Sequence, residues 1–398
     1  MNVAIIGGGA SGLAAAIVAA ENGCDVIVFE LNDRVGRKIL STGNGRCNMT
    51  NINAGVSNYH GKNPDFIKGA LNRFWVNETL DFFYDLGIWH KIEENGKVYP
   101  YSEQASAVLD ALRMRAEELS VELRTKSEVK SVKKDSDKFK ITIYSGEQFT
   151  SSAVIVATGG RAAPNLGSNG SGYDILKSFG HTVTEVRPSL VQIKTETDVV
   201  KKLKGIKIQG EIILDDFKES GEILFTDYGI SGPPVFSISS RLQKQDRLYI
   251  DLMPEYSAEE LKNMLTERIL RAPKLALENF FVGILNKRLG QALLKYLHLE
   301  PLSRYAVTLT ENDILKIAKT IKAWEFKIIG TMSWNNAQVT KGGAMTSEFD
   351  PCTMQSKLVK GLYAVGEVLD IDGDCGGYNL QWAWSSGIIA GKSIKCDE

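Results

Sequence analysis

Two kinds of apolar period alternate along this chain. Residues 2–6 (NVAII) form a short unbroken apolar run, the pattern of a strand buried on both faces, and the alanine-rich LAAAIVAAENG after it has helical character and closes at Gly23. DVIVFE at 25–30, AVIVA at 153–157 and LYAVG at 362–366 repeat the buried-strand pattern. Between them, 102–119 shows a helical period on Ala105, Val108, Leu109 and Leu112, followed by the short alternating strands VELRT, SEVKSVKKD and FKITIYS. Near Arg187 and Pro188 the character changes. Residues 190–251 alternate as strands with turn signals, and 257–323 read as three or four amphipathic helices. The pattern predicts an α/β domain split into 1–188 and 331–398, interrupted by a β-rich insertion at 189–256 and a helical one at 257–330.

The first strand runs directly into Gly7, Gly9 and Gly12, in GxGxxG spacing with Ala10 and Ser11 inside it. Gly7 permits the tight turn, Gly9 lets the backbone approach a pyrophosphate, and Gly12 lets the helix pack on the strand. Glu30 ends the second strand where a carboxylate can accept from a ribose 2′-OH, which disfavours a 2′-phosphate and leaves NAD or FAD. The segment that follows, LNDRVGRKILSTGNGRCNMTN at 31–51, shows neither a helical nor a strand period. A Rossmann domain for NAD would begin its next helix here, whereas a long irregular segment suits a cofactor that is wrapped by the chain. This favours FAD. Arg34, Arg37, Lys38 and Arg46 are available to phosphate or to a flavin edge, Gly36, Gly43 and Gly45 allow close backbone approach, and Cys47 ends the basic stretch.

Three later motifs add candidates. Val129 falls where such sheets pass the adenine. Thr158, Gly159 and Gly160 end the AVIVA strand with a second close approach to a ligand. The LYAVGEVLD run presents Gly366, Glu367 and Asp370 at its carboxyl end. GGYNLQWAWSSG then opens a helix whose first amides, at Asn379, Leu380 and Gln381 after Gly377, suit a site where negative charge develops. Trp382 and Trp384 are expected to pack that helix on the sheet.

Composition narrows the classes. With 47 Lys+Arg against 48 Asp+Glu the net charge is −1, which gives no basic excess for nucleic acid. No apolar run approaches the roughly 20 residues of a membrane span, and the strand starting at residue 2 leaves no room for a signal peptide. Cys24, Cys47, Cys352, Cys375 and Cys396 contain no CxxC pair or metal-like cluster, and their odd number argues against a closed disulfide framework. A reducing, cytoplasmic setting, no metal and a small-molecule substrate follow. Nothing in the pattern fixes an oligomeric state.

Taken together, GGGASGLAAA, RKILSTGNGRCNMTN, ILFTDYGISGPP and GLYAVGEVLDIDGDCGGYNLQWAWSSGIIAG resemble the bacterial BaiN/YhiN-like flavoproteins, also described as aminoacetone-oxidase-family FAD-binding enzymes. The resemblance spans essentially the whole chain. It implies a glutathione-reductase-like, Rossmann-type FAD-binding domain with noncovalent FAD, and NAD(P)H as a transient electron donor at the flavin face, since a second GxGxxG is missing. Two reactions are implied: NAD(P)H-fed reduction of an activated C=C bond, or oxidation of a small amine such as aminoacetone by O2. A flavin-containing RNA-modifying or redox-sensing protein is the reading of another class. Asp227 stands where the FTHxGxSGP pattern carries His. No catalytic acid or base declares itself, because His60, His90, His181 and His298 are scattered.

Overall fold

A computed structural model describes residues 1–242 and 244–395, with the side chain of Glu94 set aside; Cys396 lies outside the described residues. The buried apolar runs assemble into one five-stranded sheet. Strand β1 (Asn2–Ile6) is central, with β2 (Asp25–Phe29) and then Glu122–Arg124 on one side, and Ala153–Val156 and then Leu362–Ala364 on the other. All four pairings are parallel, and Ile6 stands opposite both Phe29 and Val156. Val3, Ala4 and Ile5 are fully buried, which explains the unbroken apolar run.

Helix α1 (Ala10–Glu21) makes the crossover from β1 to β2, and the C-terminal helix Tyr378–Ser393 packs along it. A Cβ on Gly387 would lie 2.3 Å from the carbonyl oxygen of Ser11, and one on Gly391 would lie 2.8 Å from that of Ala15. Backbone meets backbone at these two glycines, so the C-terminal helix is held tightly against the helix that follows the first glycine turn.

Two local expectations change. VELRT reads as one of the alternating strands, but Glu122–Arg124 extends the parallel sheet beside β2, and Val129–Asp135, Lys138–Ile143 and Gln148–Ser151 form a separate three-stranded antiparallel sheet. The aperiodic segment contains a five-residue helix, Arg37–Ser41, and the turn Thr42–Gly45, before Thr50–Asn51 pairs with Lys97–Pro100. A helix of so few residues is too short to show a period, and the left-handed Gly43 and Asn44 (φ 56° each) stop it.

The chain divides into two compact units, 1–189 with 337–398, and 190–336. The second unit is a closed antiparallel barrel in the order Ile193–Thr195, Gly229–Ser231, Phe217–Phe225, Lys207–Leu214, Arg247–Asp251 and Trp324–Thr331. Helices Ala258–Arg271, Lys287–Tyr296 and Glu311–Lys322 share its apolar core. Trp324–Thr331 lies in the stretch expected to be helical. It closes the barrel against both Arg247–Asp251 and Ile193–Thr195, a long-range pairing that local periodicity does not register. Within the first unit, the two stretches that lead to and from residues 190–336 pair antiparallel, Ser189 opposite Val339 and Pro188 opposite Thr340.

Candidate functional site

The glycine turn between β1 and α1 separates into structural and open positions. Gly7 has φ +106°, and a Cβ there would lie 2.5 Å from the carbonyl oxygen of Ala157; one on Gly12 would lie 1.9 Å from the carbonyl oxygen of Gly7. A Cβ on Gly9 would meet nothing within 4 Å. Gly9 is also the N-cap of α1, with no side chain capping it, and the first helix turn holds no acidic residue. The amides ahead of the Leu13 N–H to Gly9 O bond lie at the positive end of a helix, beside the open space at Gly9, an arrangement suited to a phosphate.

Glu30 is buried at the end of β2. Its Oε2 accepts from the Gly8 amide at 3.0 Å, and its Oε1 accepts from the amide and the side-chain nitrogen of Asn32 at 2.9 and 2.7 Å. Asn32 in turn accepts from Arg37 at 2.8 Å. The segment leading to Val129 is laid alongside, with the amides of Ser127 and Lys126 donating to the carbonyls of Glu30 and Asn32, and Val129 itself is buried opposite Ile143. Arg37 and Lys38 diverge: Lys38 reaches Glu367 at 2.7 Å.

Beyond the Ala153–Val156 strand, Gly159 is left-handed (φ +70°), and a Cβ on Gly160 would lie 2.3 Å from Thr340 Oγ1 and 2.8 Å from Glu367 Oε1. On the face where a Cβ would stand, the close approach to Gly160 is by protein side chains. Thr158 borders Gly172, whose Cβ would lie 2.1 Å from its hydroxyl. Asp370 is buried, accepts from the Lys62 amide at 3.3 Å, and burial holds its carboxyl above the usual carboxylate range.

The C-terminal helix is fastened at its start. Gly366 (φ +71°) donates to Ser386 Oγ at 2.9 Å and accepts from Trp382 Nε1 at 3.1 Å, while Trp384 Nε1 donates to the carbonyl of Met49 at 3.0 Å. Both indoles are buried, so they pack this helix. Gly377 is left-handed (φ +103°), and a Cβ there would lie 2.5 Å from the carbonyl oxygen of Thr50. The Asn379 side chain bonds both the amide and the carbonyl of Gly373 at 2.8 Å. Gln381 departs from expectation, because its amide donates to Gly377 O at 3.0 Å; the amides of Asn379 and Leu380 precede that bond. Its side chain is fully buried in a network with Thr50, Thr79 and Ser385.

Arg46 pairs with Glu93 at 2.8 Å and lies 4.0 Å over the Tyr99 ring, while a Cβ on the neighbouring Gly45 would meet open space. Cys47 is fully buried, and burial pushes its thiol up to about 12, so it supplies no thiolate. Among the described residues no cluster could hold a metal ion and no helix is long and apolar enough to cross a membrane.

Four further residues lie outside the sequence candidates: Asn48, Tyr173, Thr340 and Asp372. Asn48 Oδ1, the Tyr173 hydroxyl and both oxygens of Asp372 are buried with no hydrogen-bond partner among the described residues. Asn48 Oδ1 lies 2.9 Å from where a Gly377 Cβ would stand, at the mouth of the C-terminal helix. Asp372 pairs through its backbone with His60, and burial pushes its carboxyl up to about 6, with Asp370 and Asp374 adding to the rise and Lys341 and His60 opposing it. The orphaned Asn48 oxygen, the open space at Gly9 and the two uncapped helix starts fit a dinucleotide with a polar ring system.

Residues 1–393 match the family described as HI0933-like protein Rossmann domain. The chain is 38% identical over 409 residues to a 3-dehydro-bile acid delta(4,6)-reductase of Clostridium scindens, covering 98% of both. It is 34% identical over 402 residues to a ribosomal RNA dihydrouridine synthase of Escherichia coli, again covering 98% of both. Among solved structures, an Escherichia coli quinol fumarate reductase shares the fold with a TM-score of 0.51 at 14% identity, over 98% of this chain and 69% of that one. The glycine turn, the parallel sheet and the full-length match lead to one conclusion: the chain belongs to the HI0933-like Rossmann family of FAD-dependent oxidoreductases, the BaiN/YhiN type.

Proposed function

We propose that this protein is a reductase that saturates a C=C bond conjugated to a carbonyl in a small organic substrate, using noncovalent FAD and electrons from NADH or NADPH. One observation carries the FAD site: within a single unit, Gly9 opens on space before an uncapped helix, buried Glu30 closes β2, and a second uncapped helix starts at Tyr378. FAD, when bound, supplies the hydride chemistry. In this reading the amides of Gly9, Ala10, Ser11 and Gly12 hold the pyrophosphate, and Glu30 receives the adenosine ribose. Arg37, through Asn32, steadies Glu30, and Val129 borders the adenine. Thr158, Gly159, Gly366, Glu367 and Lys38 line the middle of the cofactor, while Gly45, Arg46, Gly377, Asn379 and Leu380 flank the ring end. The dipole of the C-terminal helix favours negative charge at its start, the sense required of a site that accepts electrons.

The choice of reaction is supported by the relatives. The names of the bile-acid and uridine enzymes both describe saturation of a double bond beside a carbonyl, one in a steroid acid and one in RNA. The net charge of −1 favours the small molecule, because RNA binding draws on counterion release by basic residues. Uridine in ribosomal RNA is the second reading, resting on the 34% identity. A cytoplasmic location belongs to the same proposal.

Anaerobic titration of the FAD-loaded protein with NADH and then NADPH is expected to bleach the oxidised flavin band, and a 3-oxo-4-ene steroid is expected to restore it. Bleaching by aminoacetone with neither nucleotide active would replace the reductase by an amine oxidase. Reoxidation by a uridine-containing ribosomal RNA fragment, with no response to steroids, would establish the second reading.

A further inference from the structure

Thr340 sits on Val339–Lys341, the strand by which the chain returns from residues 190–336. It is 1% exposed and threads together segments far apart in sequence. Its Oγ1 accepts from the amides of Arg161 at 2.7 Å and Ala162 at 2.9 Å, and its own amide donates to Glu367 Oε1 at 2.8 Å. The other oxygen of Glu367 is paired with Lys38 at 2.7 Å. One threonine thereby joins the turn after Ala153–Val156, the acid after Leu362–Ala364, and, through that acid, the loop after β2.

The fit admits few substitutes. A hydroxyl has two acceptor lone pairs, and the two amides use them. Valine has the shape of threonine without an acceptor, so it would leave a buried Ala162 amide and a part-buried Arg161 amide unmatched. Glycine at 160 is required by the same contact, because a Cβ there would lie 2.3 Å from Thr340 Oγ1.

We propose that Thr340 is a positioning residue for the cofactor: its hydroxyl sets the spacing between the 158–162 turn and Glu367 at which the cradle receives FAD, and ties that spacing to the strand returning from the inserted unit. This rests on the reading of the cradle as an FAD site, and the experiment separates the two. Wild type, Thr340→Ser and Thr340→Val are freed of flavin and titrated with FAD, following fluorescence quenching, the visible spectrum at saturation and the melting temperature of each apoprotein. Serine keeps the acceptor and is expected to bind within about twofold of wild type, whereas valine weakens binding by at least about tenfold and shifts the saturated spectrum. Wild-type affinity and spectrum in the valine variant, or equal loss in both variants, overturns the role of the hydroxyl. Failure of the wild type to bind FAD removes the cradle reading itself. Should the valine protein not fold, hydrogen exchange in the wild-type apoprotein decides: protected Arg161 and Ala162 amides support a preformed clasp, and rapidly exchanging ones refute it.

Discussion

Polar residues are handled differently in the two units. In the unit built on the parallel sheet, Glu30, Thr340, Asp370, Gln381, Ser385 and Ser386 are buried with partners distant in sequence, such as Glu30 with Gly8, Thr340 with Ala162 and Gln381 with Thr50, and Asp372 is buried as well. In residues 190–336 the barrel and helices share an apolar core and fewer polar residues are buried, among them Ser239, which accepts from the Val191 amide at 3.0 Å, and Asp251, which pairs with Lys322 at 2.6 Å; much of the remaining polar work is local. Ser257 with Glu260 and Thr310 with Asp313 form capping boxes, Asn286 caps the next helix, and Asp227 pairs on the surface with Lys204. Burying polar groups costs stability unless each is matched, so a chain that does it repeatedly in one region has a reason beyond folding. The difference is one of degree, and it is the sheet unit, with the larger share of buried polar groups, that the proposed site occupies.

The largest test of that contrast lies in the first glycine turn, where fold and binding can be pulled apart. Gly12→Ala drives a methyl to 1.9 Å from a backbone oxygen and is expected to destabilise the apoprotein by about 3 kcal/mol, the upper end of the usual cost of overpacking. Gly9→Ala meets nothing within 4 Å, so its apoprotein melting temperature stays at the wild-type value while FAD affinity falls by about tenfold or more. If both variants lose stability alike, the open space at Gly9 is not a ligand's place.

Next in size is Asp372. Its carboxyl rises from the ordinary 3.8 to about 6 in the folded state, which therefore binds a proton more tightly than the unfolded chain does. The stability this contributes is complete below 3.8 and is lost as pH rises through about 6, a span worth up to about 3 kcal/mol. Asp372→Asn removes the titration, so the difference in urea midpoint between variant and wild type should grow in the variant's favour from pH 4 to pH 7. A constant difference would show that Asp372 stays ionised or is matched by its neighbours.

These two sites also mark what the sequence made legible. The Gly7–Gly12 turn and Glu30 were readable because strand, turn, helix and acid follow one another in local register. The tryptophans were readable as packing because a helix of mixed apolar and small residues must bury them. Thr340 was not, since nothing near VTK announces that it will receive two amides from a turn nearly 180 residues away. Asp372 left a faint signal, acids alternating through the buried run LDIDGD, but its isolation comes only from the fold. Gly160 shows the same limit: a glycine announces close approach without saying to what, and the place of its missing Cβ is taken by Thr340 and Glu367. The barrel's last strand was lost because closure pairs residues more than 130 positions apart, Ile193 with Thr331.

A smaller effect is expected at Glu30. Its carboxylate accepts three hydrogen bonds from Gly8 and Asn32, and Glu30→Gln keeps the shape while replacing one acceptor by a donor that faces an amide. FAD affinity should fall by about tenfold, consistent with one mismatched buried hydrogen bond, with the flavin spectrum at saturation unchanged. A loss confined to apoprotein stability would make Glu30 a brace for the glycine turn alone.

The smallest effect is expected at Asp227, where the chain departs from the His of the family pattern. The residue is exposed on the turn between Phe217–Phe225 and Gly229–Ser231, and its pairing with Lys204 at 2.6 Å holds its carboxyl below the usual range. Ion pairs at such exposed positions contribute little once water and salt screen them. Asp227→Ala should therefore leave the melting temperature and FAD affinity within error of wild type. The informative readout is turnover with a 3-oxo-4-ene steroid: unchanged kcat and KM would keep the barrel's surface a scaffold, whereas a raised KM at constant FAD affinity would place substrate recognition on the inserted unit and narrow the contrast between the two regions.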